Sequence, residues 1–296
     1  MTDTFTPIPT LILTPAGVVP TPYQVPSLAA AVSHEPDGVY TVARTFFGDR
    51  ALLLDAHLDR LEESARLSGI PLYVDRDQLR TALRFALHAA GYPDAKFRIT
   101  VPREDPSRLY LALEPYQPVP EAIMREGAHV ITLPIVRENP VVKTTAWMTA
   151  RKPSQDALPQ GVYEGILRSE GGRLLEGMSS NFYAVLNGAL YTAGEGVLAG
   201  ITRRAVLEIA AELLPLRPEA PHQRDMPRFT EAFLTSSGRG VVPITRIDET
   251  PIGAGTPYRW PWKRRQPLAS RKARCAAVST PSAITSIERL AAMPMI

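Results

Sequence analysis

The amino-acid sequence predicts a mixed α/β (α+β) fold in two domains. Two observations carry this prediction: strand-like and helix-like segments alternate through the first half, and prolines at 115, 118 and 120 then interrupt the pattern. The chain has 296 residues, which is enough for two domains that each bury a sizeable core. We predict domains at residues 1–118 and 119–255, followed by an atypical basic tail at 256–296.

The composition excludes several classes of protein. Hydrophobic residues make up 45% and charged residues 21%, which is typical of a soluble globular protein. No apolar run approaches the roughly 20 residues of a membrane span, and the N-terminus lacks the pattern of a secretory signal. Cys275 is the sole cysteine, so neither a disulfide framework nor a cysteine-based metal cluster is expected. We expect a cytoplasmic protein with no metal and no membrane partner.

The first half begins with an extended Pro- and Thr-rich lead-in and then forms a hairpin. The strands are predicted at Asp37 to Phe46 and at Ala51 to Leu54, with a turn at Gly48-Asp49. Asp55 can cap a first helix that Gly69 ends.

A second amphipathic helix is predicted from Arg76 to Ala90, with Gly91 as its stop. Strands at Lys96 to Val101 and at Leu109 to Leu113 complete a layer of sheet and helices.

The second half is predicted to be rich in strands. These are Ala128 to Val136, Gly161 to Leu167, Gly171 to Leu175, Asn181 to Val185, and Ala189 to Thr192. Thr202 is expected to cap a helix from Arg203 to Leu214.

Residues Leu198 to Arg203 (LAGITR) place backbone N–H groups and a hydroxyl at the start of this last helix. Such a helix terminus holds a phosphate well, because its first N–H groups lack internal partners and the helix dipole favours an anion. Glu176 lies two strands earlier. A carboxylate and a phosphate cradle together suit a ligand with a cationic nitrogen at one end, and pyridoxal 5′-phosphate fits that description.

A pyridoxal enzyme needs a lysine whose amine can form a Schiff base with the cofactor aldehyde. The chain has five lysines, at positions 96, 143, 152, 263 and 272. Lys143 is predicted to end an apolar strand, where its side chain can be desolvated and its pKa lowered. A solvent-exposed surface lysine is the alternative interpretation.

Four motifs together resemble the class IV (fold type IV) pyridoxal-phosphate enzymes. They are H-L-x-R-L-x-x-S-A from His57, R-x-x-P-x-x-K-T from Arg137, E-G-x-x-S-N-F from Glu176, and L-x-G-I-T-R from Leu198. This family includes branched-chain and D-amino-acid aminotransferases and aminodeoxychorismate lyase. The resemblance covers roughly residues 38 to 252. It implies an N-terminal α/β domain and a C-terminal pseudo-barrel domain with the cofactor between them.

The resemblance also implies roles for individual residues. Lys143 would form the Schiff base and then move a proton between the substrate Cα and the cofactor, while Glu176 would pair with the ring nitrogen. The phosphate would be held by Arg60, Ile201, Thr202 and Ser237, with Ser236 as the alternative to Ser237. Without the resemblance, Arg60 would be a surface arginine, Glu176 a turn residue and Ser237 part of a loop.

Three further residues match positions that bind substrate in relatives. Tyr40 corresponds to an active-site tyrosine of D-amino-acid aminotransferases, and Arg98 and Arg103 lie where relatives carry arginines, some of which bind a substrate carboxylate. Surface or strand-edge positions are the alternative for both arginines. The chain also departs from branched-chain enzymes, because Trp147 and its neighbours follow Lys143 in place of an Asn-Tyr pair.

The tail at 256–296 differs abruptly from the rest of the chain. It contains eight Lys or Arg and one acidic residue, and its run YRWPWKRR at 258–265 has no helical or strand period. One hypothesis is translation of a shifted reading frame, which sequencing of the coding region tests. A basic segment could instead bind nucleic acid, although we do not expect a nucleic-acid partner.

These observations predict an aminotransferase that moves an amino group between an amino acid, of branched-chain or D-type, and a 2-oxo acid. The resemblance implies a homodimer. A pyridoxal-phosphate-dependent 4-amino-4-deoxychorismate lyase is the alternative enzyme. A non-catalytic binding protein that retains the fold is the alternative from another class.

Overall fold

The computed structural model describes residues 5–255, which form two β-sheets with helices packed against them. The tail at 256–296 lies outside the described residues, so the frameshift hypothesis and the alternative of nucleic-acid binding there stay predictions. The domain limits of 1–118 and 119–255 also stay predictions. None of the helices within residues 5–255 has the length and apolar character needed to cross a membrane.

The first sheet has six antiparallel strands in the order β2-β1-β6-β5-β3-β4. The strands are β1 (Thr10–Thr14), β2 (Gly17–Pro20), β3 (Gly38–Phe46), β4 (Arg50–Ala51), β5 (Ala95–Pro102) and β6 (Leu109–Pro115). Three helices belong to this half: α1 (Leu28–Ala31), α2 (Leu54–Leu67) and α3 (Arg76–Ala90). Apolar side chains of the sheet, α2 and α3 form one continuous core, as their alternating and helical patterns require.

The second long helix of this half, α3, has the predicted bounds. The Asp75 carboxylate caps it by accepting hydrogen bonds from the amides of Asp77 and Gln78. Gly91 ends it in the left-handed region at φ 65°, where a residue without Cβ is favoured.

The first long helix, α2, begins earlier than predicted. The return strand of the hairpin is only two residues long, and α2 already begins at Leu54. Leu53 adopts a left-handed conformation with φ 53°, which turns the chain directly into the helix. Asp55 therefore lies within the first helical turn and does not cap it. Its carboxylate instead pairs with Arg76 and Arg80 of α3.

The second sheet has nine strands, and six of them close into a ring. Strand β9 pairs with both β8 and β10, so the path β10-β13-β14-β7-β8-β9 returns to β10. The strands are β7 (Ala128–Leu133), β8 (Glu164–Arg168), β9 (Leu174–Gly177), β10 (Ser180–Leu186), β11 (Ala189–Tyr191), β12 (Leu216–Arg217), β13 (Glu231–Ser236), β14 (Gly240–Ile247) and β15 (Thr250–Pro251). Its buried core is separate from that of the first sheet. The predicted pseudo-barrel is confirmed.

The helices of the second half differ most from the prediction. They are α4 (Glu121–Glu126), α5 (Thr145–Asp156) and α6 (Ile201–Ala210), with a 3-10 helix at Gln223–Arg228. The sequence did not predict α5, which buries only Thr145 and Met148 and contains Pro153. Helix α6 begins two residues before the predicted start, with Gly200 as N-cap, so Thr202 lies in its first turn and does not cap it.

The segment between β7 and α5 carries Lys143. Strand β7 ends at Leu133, so Lys143 does not end a strand as predicted but lies in the loop just before α5. This loop is attached to the first sheet. The Tyr40 amide donates to the Lys143 carbonyl at 3.0 Å, and the Gly38 amide donates to the Thr145 hydroxyl at 2.8 Å.

Candidate active site

A cavity of about 510 Å³ lies between the two sheets. It collects eight of the nine predicted site residues, from segments far apart in the chain. They are Tyr40, Arg60, Arg98, Lys143, Glu176, Ile201, Thr202 and Ser237. The ninth residue, Arg103, does not line it.

The amine of Lys143 projects into this cavity beside Tyr40. Its Nζ lies 4.6 Å from the centroid of the Tyr40 ring. Burial, assisted by the positive charge of neighbouring arginines, lowers the pKa of the Lys143 amine to about 8. A lysine in this state is partly neutral near neutral pH, as a nucleophile or a general base must be.

The phenol of Tyr40 is 2% exposed, and its pKa is close to that of the Lys143 amine. Burial alone would raise the pKa of Tyr40, but the Lys143 ammonium and nearby arginines lower it to about 8. Tyr40 and Lys143 therefore form a pair in which either group can hold a proton near neutral pH.

Glu176 lies within strand β9 and is 3% exposed, so it is not a residue of an exposed turn. One carboxylate oxygen accepts from the Leu198 amide at 3.0 Å, and the other from the Arg137 guanidinium at 3.4 Å. Burial raises the pKa of Glu176 above its ordinary value, while Arg137 opposes this rise. The carboxylate is held in place and faces the cavity.

Arg137 is a site residue that the sequence analysis missed. It is 6% exposed, and besides Glu176 it donates to the Val142 carbonyl. It is the arginine of the R-x-x-P-x-x-K-T motif, so a signal was present, although the motif served only to locate Lys143.

Arg60 lies on α2 and reaches the start of α6. Its guanidinium donates to the Ala199 carbonyl and to the Thr41 hydroxyl, each at 3.3 Å. The Nε of Arg60 is buried without a hydrogen-bond partner. The Arg60 guanidinium forms no ion pair with a carboxylate within residues 5–255. Burial lowers the pKa of Arg60 to about 10, still well above neutral. Arg60 is therefore a partly buried cation with no anionic partner in the described part of the chain.

The first turn of α6 completes a cationic end of the cavity. No side chain caps the helix, so the amides of its first turn, including those of Ile201 and Thr202, have no internal partners. The hydroxyls of Thr202 and Ser237 lie 3.4 Å apart. Gly200 packs so closely that a Cβ there would lie 2.1 Å from the Asn181 amide oxygen.

The two arginines predicted to bind substrate are already engaged. Arg98 is 4% exposed in β5, and its guanidinium makes a bidentate pair with Glu35, at 2.8 and 2.7 Å. Because β5 lies between β3 and β6, the strand-edge alternative for Arg98 is wrong. Arg103 lies beyond the end of β5 outside the cavity, where it binds Asp37 and the Ser68 carbonyl.

Helix α5 contributes two residues that the sequence analysis did not assign. The Trp147 indole and the Arg151 guanidinium both donate to the Met178 carbonyl, at 3.0 and 2.8 Å. Arg137 lies 5.3 Å from the Trp147 ring centroid. No pattern signalled these positions, because α5 has no continuous apolar stripe.

An ion pair with a buried carboxylate holds the loop after Glu176 in place. The Glu164 carboxylate pairs with Arg239 at 2.8 Å and accepts from the amide of Ser179 at 2.6 Å and from its hydroxyl at 2.9 Å. Arg239 in turn donates to Ser179. These contacts fix the cavity wall that follows Gly177.

The fold and the site define a recognisable class of protein. Two solved structures show the same fold: the T.th. branched-chain amino acid aminotransferase with pyridoxamine 5′-phosphate (TM-score 0.71, 22% identity, 86% of this chain and 90% of that one) and the Escherichia coli branched-chain amino acid aminotransferase (TM-score 0.71, 20% identity, 85% and 90%).

Sequence relatives agree with this fold. The D-alanine aminotransferase of Bacillus licheniformis is 30% identical over 235 residues, which cover 75% of this chain and 82% of the relative. The branched-chain-amino-acid aminotransferase of Pseudomonas aeruginosa is 26% identical over 244 residues, covering 75% and 80%. The sequence model of the family described as amino-transferase class IV matches residues 38–247. The chain belongs to the class IV aminotransferase family.

Proposed function

We propose that this protein moves an amino group between an amino acid and a 2-oxo acid with pyridoxal 5′-phosphate as cofactor. One observation carries the proposal. The Lys143 amine, whose pKa is about 8, shares a cavity with the buried Glu176 carboxylate and with a cationic cradle, around Arg60, that pairs with no carboxylate of the described residues. The T.th. relative is described with pyridoxamine 5′-phosphate, which agrees with this assignment.

The residues present fit the cofactor. The unpartnered Nε of Arg60 and the unpaired amides at the start of α6 suit a phosphate dianion. Gly200 lets the Asn181 side chain pack against the start of this helix, since a Cβ there would collide with it. Arg60, Ile201, Thr202 and Ser237 would hold the phosphate, the middle two mainly through backbone N–H.

When bound, the cofactor supplies an aldehyde that condenses with amines and a ring that draws electrons from the substrate Cα. Lys143 is the Schiff-base lysine in this proposal. Once the substrate amine displaces it, its Nζ accepts the proton from the substrate Cα. Tyr40, whose pKa also lies at about 8, can share that proton.

Glu176 faces the cofactor ring nitrogen in this proposal and keeps it protonated. Arg137 and the Leu198 amide hold the carboxylate in place, at 3.4 and 3.0 Å. Because Arg137 stabilises the ionised form of Glu176 against the effect of burial, the carboxylate is available to accept the hydrogen bond of a protonated ring.

A nitrogen-transfer assay tests the proposal. Full-length protein with pyridoxal 5′-phosphate is given a pool of L- and D-amino acids with labelled nitrogen and a set of 2-oxo acids. We expect labelled nitrogen in a new amino acid formed from one of the acceptors. In a parallel sample the protein is given aminodeoxychorismate. Release of pyruvate there, with no labelled amino acid in the first sample, would support the lyase instead. The homodimer and the cytoplasmic location stay predictions, and light scattering of the purified protein tests the first.

A further inference from the structure

We propose that Arg151 of α5 binds the carboxylate of the amino-acid substrate. The inference rests on the proposed function, because it assigns the substrate of the same cavity. It also replaces Arg98 and Arg103 in that role, since the guanidiniums of both are engaged elsewhere.

The positive charge around the cavity is only partly balanced by carboxylates. Eight cationic side chains line it, and five of them pair with a carboxylate within residues 5–255. The pairs are Lys96 with Glu114, Arg98 with Glu35, Arg137 with Glu176, Lys152 with Asp156, and Arg239 with Glu164. In this part of the chain, Arg60, Lys143 and Arg151 have no such partner. A cavity with three uncompensated cations favours anionic ligands.

Two of the three remaining cations have other assignments. Arg60 contacts the carbonyl of Ala199, immediately before α6, and so belongs with the phosphate cradle. Lys143 supplies the reactive amine. Arg151 is the cation that is left for a second anionic group, and an amino acid bound at Lys143 brings a carboxylate with it.

The contacts of Arg151 show what it can still bind. One guanidinium nitrogen donates to the Met178 carbonyl at 2.8 Å, which fixes the side chain at the cavity wall. The Nε is buried and has no hydrogen-bond partner among the described residues. A guanidinium with spare donors suits a carboxylate, which it can bind through two parallel hydrogen bonds.

Arg151 is also close to the reacting groups. Its charge contributes to lowering the pKa of both Tyr40 and Lys143. A carboxylate bound to Arg151 would therefore lie near the amine that exchanges with Lys143. The predicted consequence is selectivity for amino acids and 2-oxo acids over amines that lack a carboxylate.

The experiment compares ligands with and without a carboxylate. Full-length wild-type protein, Arg151→Gln and Arg151→Lys are loaded with pyridoxal 5′-phosphate, and binding is followed by the change in the absorbance spectrum. The ligands are leucine and glutamate of each chirality, and 3-methylbutylamine, which is leucine without its carboxylate. Arg125→Gln is the matched control, because Arg125 is an arginine outside this cavity that pairs with Glu126 at the surface at 2.6 Å.

We expect Arg151→Gln to weaken binding of the preferred amino acid about 10- to 100-fold, which matches the loss of charge-assisted hydrogen bonds. Binding of 3-methylbutylamine should not change, Arg151→Lys should recover part of the loss, and Arg125→Gln should behave as wild type. If Arg151→Gln weakens binding of leucine, Arg151 binds the α-carboxylate. If it weakens binding of glutamate alone, Arg151 binds the side-chain carboxylate.

Equal losses for leucine, glutamate and 3-methylbutylamine, or no loss for any of them, would overturn the inference. So would a wild-type protein that binds 3-methylbutylamine as tightly as either amino acid. A wild-type protein that takes up no cofactor would overturn the proposed function itself, and the assignment of Arg151 would fall with it. The two failures are therefore distinct.

Discussion

The Nζ of Lys143 lies 4.6 Å from the ring centroid of Tyr40, and the two groups have pKa values of about 8. One residue comes from the loop before α5 and the other from β3, and the Tyr40 amide joins the two segments by donating to the Lys143 carbonyl. The backbone pairing therefore sets the distance between the two side chains that would share the substrate proton in the proposed reaction.

This pair predicts how stability depends on pH. Both folded-state pKa values lie below the ordinary values of 10.5 and 10.0, so between about 8 and 10 the unfolded chain binds more protons than the folded one. The free energy of unfolding of the cofactor-free protein should therefore rise with pH in this window. We expect a gain on the order of 2 kcal/mol, after allowance for water in the cavity.

Urea denaturation of the wild type at several pH values measures this gain. The double variant Lys143→Met with Tyr40→Phe provides the control, because all other titrating groups are shared. Its stability should rise less over the same window. If both proteins showed the same pH dependence, the assigned pKa values would be wrong.

Arg60 should determine affinity for the cofactor's phosphate. Arg60→Ala is expected to weaken binding of pyridoxal 5′-phosphate about 10- to 100-fold, because charge-assisted hydrogen bonds are lost. Binding of pyridoxal, which has no phosphate, should not change. Arg66→Ala is the control, since Arg66 lies on the same helix and pairs with Glu63 at the surface. Equal weakening of both ligands would show that Arg60 acts elsewhere.

Gly200 should tolerate no side chain. The Cβ of Gly200→Ala would lie 2.1 Å from the Asn181 oxygen and displace a side chain that donates to the Leu198 carbonyl. We expect a loss of about 1–3 kcal/mol in stability and weaker cofactor binding. At Gly171 the nearest atom would lie 3.9 Å away, so Gly171→Ala should change neither. Cofactor titration and urea denaturation check both variants.

The ion pair between Glu164 and Arg239 should be costly to break. Glu164→Gln leaves the partly buried Arg239 guanidinium without its counter-charge and weakens the contacts to Ser179. A destabilisation of about 1–3 kcal/mol is expected in denaturant titrations, since the Arg239 side chain stays in contact with water. Asp225→Asn, which breaks a more exposed pair with Arg228, should cost about 0.5 kcal/mol or less. Similar losses in the two variants would mean that burial of the first pair has been misjudged.

The sequence predicted elements that local signals determine. Helix α3 begins after Asp75 and ends before Gly91 as expected, because both caps lie within a few residues of the helix. The predicted start of α2 was wrong because Leu53, a residue with no turn preference, adopts a left-handed conformation and lets the helix begin at Leu54. Helix α5 was missed because its burial comes from tertiary packing and its own sequence shows no apolar stripe.

In the candidate site, too, the sequence predicted what local motifs determine and missed what depends on distant contacts. Four motifs led to residues that the structure brings into one cavity, although their roles stay proposals. The ion pair that occupies the Arg98 guanidinium could not be predicted, because its partner Glu35 lies 63 residues away in the chain. Arg151 reaches the cavity only because the loop at Lys143 is joined to β3, which no local pattern records.

The absorbance spectrum of the protein with pyridoxal 5′-phosphate shows whether Lys143 bonds to the cofactor and whether an amino acid replaces it there. Wild-type protein should develop a visible band of the cofactor bonded to Lys143, and a pool of L- and D-amino acids should convert it. Folded Lys143→Ala should bind the cofactor without that band. A band that persists in Lys143→Ala, or a folded wild-type protein that never shows one, would contradict the assignment of Lys143 and of the reaction.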